Sequence, residues 1–151
     1  MTTWRALPRW ARIVLGVYAG AFLVATASHI IDIVVQGADV YATAPPALRV
    51  FFVALVLIDP VVVVLIVRLH RAGVIAVVAV IVADVAANLA MTLVDPAWPP
   101  PVTQSLFGVF ALASSLPAFR ALGPGSAPRA SLTGGLRSKR IAARRSRHAG
   151  F

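Results

Sequence analysis

Apolar residues come in four long runs separated by short interruptions. The first spans about residues 13–35 and is broken only by His29 and Asp32. The second spans about 50–67 and contains Asp59-Pro60; the third spans about 72–94 and contains Asp84 and Asn88. The fourth, about 102–119, is the shortest and is expected to end at Pro117. Hydrocarbon about 30 Å thick takes about 20 residues of helix. Strands typically run about 5–6 residues, so these runs predict helices. In lipid a helix also satisfies its backbone polar groups within one segment. The expectation is an all-α four-helix transmembrane bundle within residues 1–122, with spans at about 13–35, 50–67, 72–94 and 102–119.

The connections carry turn and interface signals. Gln36 to Ala47 contains Gly37, Pro45 and Pro46, and Arg68 to Arg71 is a tight turn ahead of Gly73. Asp95 to Pro101 reads Asp-Pro-Ala-Trp-Pro-Pro-Pro, a stiff, polyproline-like stretch. Trp98 there, and Trp4 and Trp10 at the other face, are expected at headgroup level. Gly16-x-x-x-Gly20 and Ala79, Ala83, Ala87 are small-residue patterns that let helices approach closely, within one bundle or in a homo-oligomer.

Composition agrees. Hydrophobic residues make up 60% of the 151 and charged residues 13%, against about 45–50% and about 25% in soluble domains. Mean hydropathy is +0.88. Such a chain cannot clothe a soluble globule in polar surface. Cysteine is absent, which excludes disulfides, thiolate catalysis and Cys-based metal sites.

Charge sets an orientation. Fourteen basic residues face five acids, all Asp. Arg5, Arg9 and Arg12 precede the first span, Arg68 and Arg71 lie between the second and third, and Arg120 and the tail basics follow the fourth. Only Arg49 falls at the opposite face. The positive-inside rule makes the basic side cytoplasmic, with both termini in. The Ala, Val and Arg bias suggests a GC-rich bacterial genome, hence a multi-pass protein of the plasma (inner) membrane. One rival is a signal peptide: Arg5–Arg12 resembles an n-region, and Ala25-Thr26-Ala27 an A-x-A cleavage pattern before Ser28.

After Leu122 the composition turns to Gly, Ser and Pro, and then to Arg137, Lys139, Arg140, Arg144, Arg145, Arg147 and His148 with no acid. Residues 123–151 read as a disordered basic cytoplasmic tail. Its expected partner is the bilayer's anionic lipid headgroups, at about 1 kcal/mol per basic residue near the surface. Nucleic acid is disfavoured, because the tail has no aromatic interleaving and no known module.

Ionisable groups at bilayer depth are costly and mark functional-site candidates. At 1.5 Å per residue, Asp59 and Asp84 fall near the midplane. His29 and Asn88 fall one layer further out. Asp32, Thr92, Gln104 and Arg49 fall at the mouth. Tyr18, Phe22, Ala25, His29, Asp32 and Gln36 share one stripe, and Asp84, Asn88, Thr92 and Asp95 another. Converging, these faces would line an outward-facing polar pocket. Asp59 and Asp84 could hold a shared proton or a cation there, and His29 could relay a proton. Structural readings stand beside these. Asp59 could cap the break at Pro60. Asp84 and Asn88 could be interhelical glue. Arg49 could pair with Asp32 or snorkel, and His29 could be a packing residue. A zinc site on His29, Asp32 and a further carboxylate is the weaker alternative.

In span count the chain resembles the small multidrug transporters and the sterol-isomerase-like bundles. The former are built around a Glu in the first span, and this chain has no Glu; the inward His, Glu and Asn of the latter are echoed only by His29 and Asn88. No family follows. The expected function is binding of a small ligand, cation or proton, with transport as its extension, and with no cofactor and no metal. A non-catalytic scaffold or accessory subunit is the alternative. A membrane-embedded enzyme on a lipidic substrate ranks last, since no nucleophile constellation is visible.

Overall fold

The structure is a computed structural model that describes residues 3–123. The basic tail expected beyond them lies outside the described residues. Four α-helices follow a short 3-10 turn at Trp4–Ala6: α1 (Arg9–Gln36), α2 (Pro46–Val67), α3 (Arg71–Val94) and α4 (Val102–Ala121). No strand occurs among the described residues. Each helix is long and apolar enough to cross a membrane, and each expected run lies inside one of them.

Prolines set three of the helix starts. Pro8, Pro45 and Pro101 occupy the N-cap positions of α1, α2 and α4, where a missing N–H costs nothing. For α3 the cap is His70, whose Nδ1 accepts the Ala72 N–H at 3.3 Å. Two prolines inside helices do not end them. Pro60 lies within α2 and Pro117 within α4; each leaves the carbonyl four residues earlier without its helical donor. The expected stop at Pro117 is corrected: α4 continues to Ala121, because Ala118 and Ala121 beyond the proline are buried in the core.

The helices pack in sequence, α1 on α2, α2 on α3, α3 on α4, with the ring closed by a slighter α1–α4 seam. The proximal end carries the first described residues, the α2–α3 turn and the end of α4; the distal end carries the 37–45 and 95–101 loops. A larger core fills the proximal part around Leu15, Tyr18, Ile66, Val77 and Ala111. A smaller one, built on Tyr41, Phe52, Leu55 and Met91, lies under the distal loops. Outside these cores the helices are apolar and exposed: Val34 and Val35 are each 77% exposed and Leu93 85%. Soluble monomers rarely leave so much contiguous apolar surface uncovered.

The α1–α4 seam closes through Tyr18. Its hydroxyl lies 2.8 Å from Ser114 Oγ and 3.2 Å from the Ala111 carbonyl, and Ser114 donates onward to the Phe110 carbonyl at 2.6 Å. Phe107 and Phe110 meet the Tyr18 ring edge-on. The helix α1 itself runs unbroken through Ala25-Thr26-Ala27.

The α2–α3 turn is tight. Leu69 N–H bonds the Ile66 carbonyl and His70 N–H the Leu65 carbonyl, both at 2.9 Å. This is a Schellman-type ending, with Leu69 at φ 56° in the left-handed region. Gly73 then passes against α2. A Cβ there would stand 2.9 Å from the Ile66 nitrogen and 2.9 Å from the Leu65 carbonyl carbon. By contrast, a Cβ at Gly16 or Gly20 would meet nothing within 4 Å, so the Gly-x-x-x-Gly pattern serves no contact inside this bundle. Gly73→Ala is expected to destabilise the protein by about 1–3 kcal/mol through overpacking. Gly16→Ala and Gly20→Ala are expected to cost nothing. Thermal unfolding of the three variants in one detergent measures the difference.

Candidate functional site

All four helices and both distal loops wall one cavity of about 810 Å³. That is within the range of small-molecule sites, about 300–1,000 Å³. Its wall is mainly apolar, from residues such as Phe22, Leu55, Val80 and Phe107. The charged residues in it are Asp32, Asp39, Asp59 and Asp84, four of the five acids in the chain, and no Lys or Arg among the described residues lines it. Gly20, Val24, Ser28 and Thr103 line the cavity while remaining exposed, so it opens sideways between α1 and α4, beyond the Tyr18 contact.

One side holds a three-residue hydrogen-bond chain. His29 and Asp32 stand three residues apart on α1 and so share a face. The Tyr41 hydroxyl reaches back between them, donating to Asp32 Oδ2 at 3.0 Å and lying 2.9 Å from His29 Nδ1. With its one proton on Asp32, the hydroxyl accepts from His29, which selects the Nδ1–H tautomer. Burial first, then the Asp32 carboxylate, push the Tyr41 phenol above its ordinary value, so it remains a donor. Tyr41 achieves this at φ 55°, a left-handed conformation costing a non-glycine residue about 1–2 kcal/mol.

The other side holds a second chain. Asn88 Nδ2 donates to Asp84 Oδ1 and to the Asp84 carbonyl, both at 2.9 Å. Trp98 Nε1 donates to Asn88 Oδ1 at 3.1 Å. The Trp98 ring stacks on Phe52 at 5.7 Å and 23°, and Tyr41 completes the cluster, 5.2 Å from Phe52 and 6.3 Å from Trp98. The rings tie both distal loops to α2. Trp98, expected as an interface anchor, turns inward to do this.

Asp59 differs from both. It is 2% exposed, lines the cavity, and its carboxylate has no hydrogen-bond or ion-pair partner among the described residues. The capping role at Pro60 is not what the structure has: α2 is continuous there and the side chain is turned to the cavity. Nor do the side-chain bonds of Asp84, Asn88, His29 and Asp32 given above join one helix to another. Asp84 and Asn88 bond within α3 and to the loop after it, and His29 and Asp32 to the loop after α1.

Of the eight residues singled out in the sequence, His29, Asp32, Asp59, Asp84, Asn88 and Gln104 share this cavity. Arg49 and Thr92 are not in its wall. Thr92 Oγ1 turns back onto the Leu89 carbonyl at 2.7 Å, and Arg49 stands one turn beyond Phe52 at the start of α2. Sequence reasoning missed Tyr41, Asp39 and the inward role of Trp98. The one available signal was an aromatic residue in a loop otherwise made of small and turn-forming residues. No group of three or more His, Asp or Glu side chains capable of holding a metal occurs among the described residues, so the zinc alternative has no ligand set there.

Tyr41→Phe keeps the ring cluster and removes the hydroxyl. It is expected to destabilise the protein by about 1–3 kcal/mol, since two polar groups lose their partner. The ¹⁵N shifts of His29 are expected to lose their Nδ1–H preference. Thermal unfolding and histidine NMR in detergent measure the two effects.

Compared with models of known families, with curated proteins and with solved structures, the chain matches none.

Proposed function

We propose that the chain is a multi-pass integral protein of a bacterial plasma (inner) membrane, both termini cytoplasmic, and that its distal cavity binds a small ligand, cation or proton from the outer side, with transport as the extension of that activity. The observation that carries this reading is the unpartnered, buried carboxylate of Asp59 in a cavity lined by three more carboxylates. A carboxylate that reaches such a cavity from an apolar helix without a protein partner is expected to meet one from outside the chain. In the same reading the basic tail lies on the cytoplasmic leaflet, held by anionic headgroups.

The scaffold alternative requires these polar groups to hold helices together. Support for it is weak, because a helix-to-helix side-chain bond lies elsewhere, between Tyr18 and Ser114.

The two readings differ in what Asp59→Asn does. As glue, Asp59 would leave the variant less stable. As a binding group without a partner, it leaves a variant as stable as wild type or more so, by up to about 1–3 kcal/mol. Reaction with dicyclohexylcarbodiimide, followed by peptide mass analysis, is expected to label Asp59 in the wild type and nothing at that position in Asp59→Asn. Loss of stability together with an unreactive Asp59 would overturn the proposal.

Orientation has a separate test, made clean by the absence of cysteine. Ala42→Cys is expected to react with a membrane-impermeant maleimide on intact cells, and Ser126→Cys only after the cells are opened. The reverse pattern would invert the proposed topology.

A further inference from the structure

We propose that the ligand of the distal cavity is a lipophilic organic cation: one positive charge carried by an apolar body of drug size. This rests on the reading of the cavity as a binding site and names the class of what it takes.

Four observations converge on it. The first is charge. Four of five carboxylates line the cavity, and none of the seven Arg among the described residues does. An anion would find no fixed positive partner in this wall, whereas a cation finds a carboxylate on every polar side. The second is the free acceptor. Asp59 lines the cavity with no partner of its own among the described residues. The Asp32 and Asp84 carboxylates are already held by Tyr41 and Asn88.

The third is size and dispersion. The acids are spread around about 810 Å³ and do not gather three together as a metal site. A small inorganic ion could not touch them together, but a molecule filling the space could. The fourth is the remaining wall. Phe22, Phe52, Phe107 and Trp98 supply ring faces and edges, and Leu55 and Val80 supply apolar surface. Ring faces attract cations by about 0.5–2 kcal/mol each, more when desolvated. The sideways opening between α1 and α4 admits the apolar body from among lipid chains. Its positive charge then lies against Asp59, while the rings enclose the apolar body.

The test uses two probes of nearly equal shape and opposite charge, tetraphenylphosphonium and tetraphenylborate. Each is titrated against the full chain in lipid nanodiscs, with protein-free nanodiscs as the partition control and tryptophan fluorescence as the readout. The expected result is saturable binding of the phosphonium and none of the borate. Asp59→Asn is expected to weaken the phosphonium at least tenfold. Ser28→Trp should abolish its binding: Ser28 lines the cavity from the opening and bonds only to its own helix, at the Val24 carbonyl.

Charge selectivity is read on the wild type, so it does not depend on any variant folding. Equal binding of both probes, blocked by Ser28→Trp, would overturn the cation assignment while leaving the cavity a site. Binding of neither probe, with Asp59 still labelled by the carbodiimide, would do the same. Binding of neither probe with Asp59 unreactive would overturn both this inference and the function it rests on.

Discussion

A carboxylate inside an apolar bundle needs a hydrogen-bond donor, an opposite charge or open space, because transfer from water without compensation is costly. Much of this molecule's distal half follows from how that requirement is met at three positions. Asp32 is met by Tyr41, and this draws the 37–45 loop over the end of the bundle. Asp84 is met by Asn88, which Trp98 in turn holds, and this draws in the 95–101 loop. Asp59 is met by space alone, and the cavity supplies it. The two loops touch through the Tyr41, Phe52 and Trp98 rings, so the satisfied acids build the roof over the unsatisfied one.

The proximal half has the opposite character. It is filled by Leu15, Tyr18, Ile66 and Val77 and crossed by the Tyr18–Ser114 bond. Trp4 adds a clamp by donating to the Val67 carbonyl at 2.9 Å. Arg71 lies with its guanidinium carbon 4.7 Å from the centre of the Phe119 ring, near the end of α4, where a cation also complements the helix dipole. One end of the molecule is therefore packed and the other hollow, within helices of continuous hydropathy.

Much of this was legible in the chain. Long apolar runs can only be helices or very long strands, so the four helices followed from length alone. The pairing of His29 with Asp32 and of Asp84 with Asn88 followed from spacing, since residues three or four apart share a helical face. Other features were hidden. Tyr41 sits in a loop, where no periodicity points a side chain anywhere, and its left-handed backbone is set by tertiary contacts. Pro117 looked like a terminator because local propensity favours that, but packing of Ala118 and Ala121 outweighed it. The Gly-x-x-x-Gly pattern announced a contact, yet the close approach belongs to Gly73, an isolated glycine with no motif around it. The isolation of Asp59 is the absence of a neighbour, which no spacing encodes.

The division between a packed end and a hollow end bears on how such a chain can change over generations. Residues that hold the fold, such as Tyr18, Ser114 and Gly73, are not those that surround the open space. Substitution at Leu55 or Val80 would reshape the void and leave the Tyr18 clasp and the α2–α3 turn in place. A bundle arranged this way can explore new occupants by exchanging wall residues singly, with its fold insulated from the experiment.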